Sequence, residues 1–231
     1  MRNLVVAIGV VLSAQTAVPK GLENFQGTWV VTSVPGAPFP AGMHVAFVVT
    51  GDKYQGIENG QVTERGTITL GTTAKPVTID LAITEGRSSG KTQVGILDVN
   101  QDTVRLALAD PGATARPTAF EGTTVLTLTR AKPLDKELLG TWEGSVTLGA
   151  NTLRLVLKLS NGADGLGGGV LISPDQSTQE VPIAIVLQTG SRVRAIIPAI
   201  RATIDGELKD GQINGTLQQG TSSTPIALKR S

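Results

Sequence analysis

The tripeptide Gly27-Thr28-Trp29 recurs as Gly140-Thr141-Trp142, and these are the only two Trp residues in the 231-residue chain. Each copy opens a stretch that ends on a similar run. The first closes on Val125-Leu126-Thr127-Leu128-Thr129-Arg130 and the second on Pro225-Ile226-Ala227-Leu228-Lys229-Arg230. A repeat of this length marks two copies of one structural plan. The chain is long enough for two small domains with separate cores. The segment Ala131-Lys132-Pro133-Leu134-Asp135-Lys136-Glu137 lies between them, and Pro133 stops a strand from running through it. A short helical turn over Leu134 to Leu139 is expected to lead into the second copy.

Both copies alternate apolar and polar residues with period two, the pattern of a strand with one buried face. Leu153, Leu155, Leu157 and Leu159 interleave with Arg154, Val156 and Lys158. Val77, Ile79, Leu81 and Ile83 interleave with Thr78, Asp80, Ala82 and Thr84. Val104, Leu106 and Leu108 follow the same rule, as do Val193, Ala195 and Ile197, and then Ile213, Gly215 and Leu217. Turn signals separate the runs at Gly51-Asp52, Asn59-Gly60, Asn161-Gly162 and Asp210-Gly211. Composition agrees, because 28 Gly and only 17% charged residues suit strands and tight turns better than solvated helices. About eight strands per copy are expected. The predicted fold is all-β, with two consecutive eight-stranded antiparallel up-and-down β-barrels after a signal peptide. Closure of each sheet would remove its exposed edges. The expected layout is 1–17 signal peptide, 18–132 first barrel and 133–231 second barrel.

The signal peptide is read from order. Arg2 is followed by the apolar or Gly run Leu4 to Leu12, then by Ser13, Ala14, Gln15, Thr16 and Ala17. Cleavage is expected after Ala14 or Ala17. The run is too short to span a bilayer as a helix. The protein is therefore expected to be exported, periplasmic or extracellular, with no membrane insertion after cleavage. Without Arg2 the chain carries 19 basic and 19 acidic residues, a balance that gives no electrostatic case for nucleic acid. Cys is absent, which excludes disulfides, thiolate nucleophiles, Cys-ligated metals and a lipoprotein anchor.

Gly-x-Trp on a first strand and a basic residue ending the last resemble the lipocalin, or calycin, signature. In that superfamily an Arg lies across the Trp ring and closes the barrel bottom. The resemblance implies structural barrel-closing pairs Trp29 with Arg130 and Trp142 with Arg230. Parity along the closing strands agrees. Leu126, Leu128 and Arg130 share one face, as do Ile226, Leu228 and Arg230, which leaves Lys229 outside. The first copy also resembles an uncharacterised lipocalin-like domain family found chiefly in planctomycete-type bacteria. The match runs through Leu22-Glu23, Gly51-Asp52-Lys53-Tyr54, Pro76 to Leu81, Gly95-Ile96-Leu97, Asp102 to Leu106 and Arg116 to Phe120. The second copy, through Leu139 to Gly144, Ser173 to Gln176 and Leu228 to Arg230, resembles a β-barrel module found ahead of bacterial α/β-hydrolases. Neither resemblance supplies a ligand, a cofactor or a catalytic residue.

Candidate chemistry is thin. Gly86-Arg87-Ser88-Ser89-Gly90 fits the nucleophile-elbow pattern, but that chemistry needs a following helix and a downstream His. The only His is His44, upstream, and it is read as a strand-edge residue, not a metal ligand. Gly165-Leu166-Gly167-Gly168-Gly169 lacks the Lys-Ser/Thr of a phosphate loop and reads as a turn feeding a Gly-rich strand. Seven aromatic residues are few for a sugar-cleaving cleft. Arg192, Arg194 and Arg201 form a basic group expected on a solvated outer face. A two-residue connection at Pro198-Ala199 would set Arg192 opposite Asp205. No catalytic, cofactor or metal residue is assigned. The expected function is an exported non-catalytic protein, with two alternatives. One is that one or both barrels hold a small hydrophobic ligand. The other is that filled barrels serve as a structural or interaction scaffold or as an accessory module of a hydrolase system.

Overall fold

The structure, a computed structural model, describes residues 18–34, 39–149 and 151–231. The expected signal peptide, 1–17, lies outside the described residues. No α-helix occurs among the described residues, and the elements are strands and two short 3₁₀ turns.

The first sheet contains β1 (Gly27–Ser33), β2 (Val45–Thr50), β3 (Lys53–Glu58) and β4 (Gln61–Gly71). It continues with β5 (Val77–Gly86), β6 (Thr92–Asn100), β7 (Thr103–Leu108) and β8 (Val125–Arg130). Each strand pairs antiparallel with its sequence neighbour, and β8 returns to β1 to close an eight-stranded barrel. The closing register sets Trp29 beside Arg130 and Val31 beside Leu128. Every second residue enters the interior, where Trp29, Val31, Tyr54, Ile79, Leu81, Leu97, Val104, Leu106 and Leu128 belong to one contiguous apolar cluster. Apolar burial at about 25 cal/mol per Å² is what holds such a meander closed.

One outward patch of this barrel is also buried. Ile96, Ala107 and Val125 pack under Phe120. The segment after β7 is tied down by Arg116, which donates to the Ile79 carbonyl at 2.8 Å and the Gly95 carbonyl at 2.7 Å. Its other terminal nitrogen pairs with Asp80.

The second sheet has nine strands, not eight. They are β9 (Gly140–Leu148), β10 (Asn151–Asn161), β11 (Gly167–Ser173), β12 (Ser177–Ile183), β13 (Ile185–Thr189), β14 (Arg192–Ile197), β15 (Ala202–Lys209), β16 (Gln212–Gln219) and β17 (Ser222–Arg230). Their order is β12-β11-β10-β9-β17-β16-β15-β14-β13, so β12 and β13 are the two edges of a nearly closed barrel. The extra strand has a simple origin. β12 pairs with β11 as far as Ile183, and β13 pairs with β14 from Ile185. Only Ala184 separates them, and its N–H already donates to the Ile196 carbonyl at 2.9 Å. One chain segment thus swings from the first edge of the sheet to the last. Pro182, which brings no N–H to a ladder, stands just before the swing. The interior again forms one cluster, containing Trp142, Val146, Leu155, Leu157, Leu159, Val186, Ile204 and Leu228. Among the described residues no helix is long and apolar enough to cross a membrane, which says nothing of strands.

Candidate functional site

Trp29 with Arg130 and Trp142 with Arg230 occupy equivalent register positions in the two copies. The Trp29 indole donates to the Phe25 carbonyl at 2.9 Å, and the Trp142 indole donates to the Leu138 carbonyl at 2.8 Å. Both rings are fully buried. Arg130 donates to the Gln26 carbonyl at 2.5 Å and the Asn24 carbonyl at 2.7 Å. Arg230 donates to the Leu139 carbonyl at 2.8 Å and the Glu137 carbonyl at 3.4 Å. Each Arg thus ties the segment before the first strand to the last strand, and that segment drops Phe25 or Leu138 into the barrel end.

The Gly of Gly-Thr-Trp has a reason in this geometry. Gly27 and Gly140 have φ of +102° and +117°, where side chains are strained. A Cβ at Gly27 would come within 3.4 Å of Arg130, and one at Gly140 within 3.5 Å of Arg230.

The two pairs differ in stacking. The Arg130 guanidinium carbon lies 4.1 Å from the Trp29 ring centre, and its Nε lies 3.3 Å from Asp102. Among the described residues this is the one guanidinium recorded over an indole. Arg230 sits beside Trp142 in register and acts through the two carbonyls.

Ser88 and Ser89 lie in the turn between β5 and β6, and the Ser89 hydroxyl donates to the Thr84 carbonyl at 2.7 Å. No helix follows. Gly167 to Gly169 open β11. Among the described residues no group of three His, Cys, Asp or Glu gathers in metal-binding distance. The Tyr54 hydroxyl donates to Glu64 at 2.7 Å. Burial first, then the Glu64 bond and charge, pushes it far above the ordinary phenol range, so it stays protonated.

His44 is buried, and neither ring nitrogen has a hydrogen-bond partner. Only its backbone is held, with its N–H donating to the Asn59 side chain at 3.1 Å and its carbonyl accepting from the Asn59 N–H at 2.7 Å. Burial lowers its pKa below the ordinary 6.5. The unfolded chain therefore binds a proton first as pH falls. The His44 contribution to stability is unchanged above pH 6.5, is lost as pH falls towards the folded pKa, and levels off below it. Thermal melts at pH 7.5 and pH 5 are expected to show a smaller acid-induced drop for His44→Leu than for the parent. The variant should be no less stable at pH 7.5, because it removes two unsatisfied polar atoms worth about 1–3 kcal/mol each. Equal drops in both proteins would contradict this role.

The two barrels meet at an apolar junction. Val30, Ala46 and Ala131 meet Ile185, Leu187 and Ile196 in a third apolar cluster. These are the outward residues of strands whose alternate members, such as Trp29, Val186 and Ala195, point into the two interiors. β1 and β13 are thus buried on both faces. Polar bonds frame the cluster. Arg194 donates from Nη1 to the Thr32 carbonyl at 2.8 Å and from Nε to Asp205 at 2.5 Å. The Gly42 N–H donates to the Thr203 hydroxyl at 2.8 Å. A Cβ at Gly42 would meet the Arg201–Ala202 backbone at 2.5 Å, so this contact requires Gly.

The connecting segment is bonded on both sides. The Ala131 N–H donates to the Thr28 carbonyl at 2.8 Å, and the Gln188 side chain exchanges bonds with the Asp135 N–H at 2.9 Å and the Asp135 carboxylate at 3.0 Å.

Arg192 does not pair with Asp205 as expected: the register sets Arg192 opposite Glu207 and Arg194 opposite Asp205. The connection is not two residues but a 3₁₀ turn, Pro198–Ile200, ended by Arg201 at φ +50°, and the longer turn shifts the partners by two positions.

Three cavities lie along this junction. One of about 770 Å³ is lined by Thr32, Thr127 and Thr129 on one wall and Arg192, Arg194 and Glu207 on the other. A second, of about 740 Å³, is lined by Pro40, Met43, Pro182 and Pro198. A third, of about 260 Å³, is also lined by Arg194 and Asp205. The apolar runs Trp29-Val30-Val31, Ile185-Val186-Leu187 and Ala195-Ile196-Ile197 were the available signal for this junction. A strand apolar on both faces has two buried sides.

No family model matches the chain, and no curated protein does. Among solved structures, a protein of unknown function from the DUF3598 family of Nostoc punctiforme PCC 73102 aligns at TM-score 0.26 with 11% identity, covering 90% of this chain and 97% of that one. A "putative outer membrane protein" of Bacteroides fragilis NCTC 9343 aligns at TM-score 0.25 with 14% identity, covering 88% and 93%. At these scores neither likeness transfers a function. The sequential strand order is that of an up-and-down antiparallel barrel, closed with eight strands in the first copy and nearly closed with nine in the second.

Proposed function

We propose that the chain is an exported, non-catalytic protein whose two barrels are filled walls, and whose binding surface is the junction between them. One observation carries the reading: continuous apolar clusters run through both interiors, while the three cavities lie between the barrels. Export is supported by the ordered charge, apolar run and small residues of 1–17. The non-catalytic reading is supported by the absence of Cys and by a single His that is buried with neither ring nitrogen hydrogen-bonded. Of the two expected alternatives, the scaffold is favoured over a ligand inside each barrel.

An apolar fluorescent probe titrated against the folded protein tests this. We expect no saturable site of the kind an empty barrel provides. Saturation at one or two probes per chain, abolished by enlarging an interior residue such as Val104→Phe, would return the ligand to the barrels.

A further inference from the structure

We propose that the cavity between β8 and β14 is a site for a short acidic saccharide, with a sugar carboxylate on Arg192 and the ring hydroxyls on the threonine wall. The proposal rests on the reading of the barrels as filled walls. At about 770 Å³ the space falls within the range of small-molecule sites.

The two walls are chemically unlike. The first barrel presents hydroxyls from three adjacent strands. Thr129 pairs across to Thr103, and Thr127 pairs across to Ser33. Thr32 shares a hydroxyl bond with Thr129 at 3.2 Å. The hydroxyls of Thr103, Thr127 and Thr189 make no protein hydrogen bond among the described residues, so each can donate or accept.

The second barrel presents two Arg–acid cross-strand pairs in different states. Arg194 and Asp205 are joined at 2.5 Å and neutralise one another. Arg192 and Glu207, one step along the same two strands, face each other in register with no ion pair within 4.0 Å among the described residues. A free guanidinium fork binds a carboxylate through two parallel bonds. A free carboxylate beside it accepts from ligand hydroxyls. One guanidinium and one carboxylate among unpaired hydroxyls suit a ligand that is itself both acidic and rich in hydroxyls.

Other classes fit less well. No aromatic ring lines the cavity to stack on a nucleobase or flat apolar ligand. Its two Arg are offset by two acids, so the cavity has no net pull on a polyanion. The strands β1, β7, β8, β14 and β15 are paired along both edges, and β13, which brings Leu187 and Thr189 to the cavity, is the one lining strand at a sheet edge.

Isothermal titration of the protein with cellotriouronic acid, a trisaccharide carrying one carboxylate, tests the site. Cellotriose serves as the neutral control and sodium sulfate as the simple anion. Cellotriouronic acid should saturate one site, cellotriose should bind at least about tenfold more weakly, and sulfate should not displace the sugar. Arg192→Gln should weaken cellotriouronic acid by at least about tenfold with an unchanged melting temperature, because Arg192 is exposed. Thr103→Val, also exposed, should weaken it by a smaller factor. Absence of saturation, equal binding by Arg192→Gln, equal binding of cellotriose, or displacement by sulfate would each overturn the proposal. These failures leave the filled-barrel reading standing, since that reading falls only to an apolar molecule held in a barrel interior.

Discussion

Trp142→Ala is expected to destabilise the second barrel by about 3–5 kcal/mol. The ring is fully buried in a cluster that spans the barrel interior. Its N–H holds the Leu138 carbonyl, so truncation opens a cavity and orphans the carbonyl that anchors the entering segment. Trp29→Ala should cost as much in the first barrel, where Phe25 packs against the indole with ring centres 5.7 Å apart. The Arg partners should rank differently. Arg130→Lys loses a stack worth about 0.5–2 kcal/mol. It also loses the planar fork that reaches Gln26 and Asn24. Arg230→Lys loses the reach to Leu139 and Glu137 alone. Urea unfolding of the four variants should order them as either Trp→Ala, then Arg130→Lys, then Arg230→Lys. A Trp142→Ala cost below about 1 kcal/mol would mean that the barrel end is not closed by the indole.

Ile196→Asp is expected to part the barrels without emptying either one. Ile196 is 2% exposed, yet it belongs to neither interior cluster and packs with Val30, Ala46, Ala131, Ile185 and Leu187. Arg194, two residues along the same strand face, is already held by Asp205 and the Thr32 carbonyl, and a buried charge left without a free partner costs about 3–5 kcal/mol. Parting the barrels relieves it, because the site then faces water. Small-angle scattering should show a larger radius of gyration, while far-ultraviolet circular dichroism keeps the β signal. An unchanged scattering profile would mean that other contacts hold the barrels together. Loss of the β signal would mean that Ile196 supports an interior.

These two substitutions also mark where the sequence was informative. Period-two alternation in Leu153 to Leu159 and Val77 to Ile83 gave the strands and their inward faces directly, because one buried face per strand is what a closed sheet requires. The same parity put Arg130 and Arg230 at the ends of inward rows, where both lie against the opening strand. The junction was harder to read. An outward Val30 or Ile196 is buried only because a second barrel covers it, and that covering depends on pairings far apart in the chain. The swing at Ala184 was hidden for a related reason. Local pattern shows that 177–189 is strand, not that its two halves pair with opposite edges of the sheet. The Arg192 partner was missed through turn chemistry, since nothing in Pro198-Ala199-Ile200-Arg201 announces that Arg201 takes a left-handed conformation.

A native mass spectrum of the protein purified from its source decides whether the barrels are filled and binding is confined to the junction. The chain should start within a few residues of Gln15 and carry no apolar adduct under conditions gentle enough to keep the fold. A retained hydrophobic molecule, stoichiometric with one or both barrels and released only on unfolding, would contradict it.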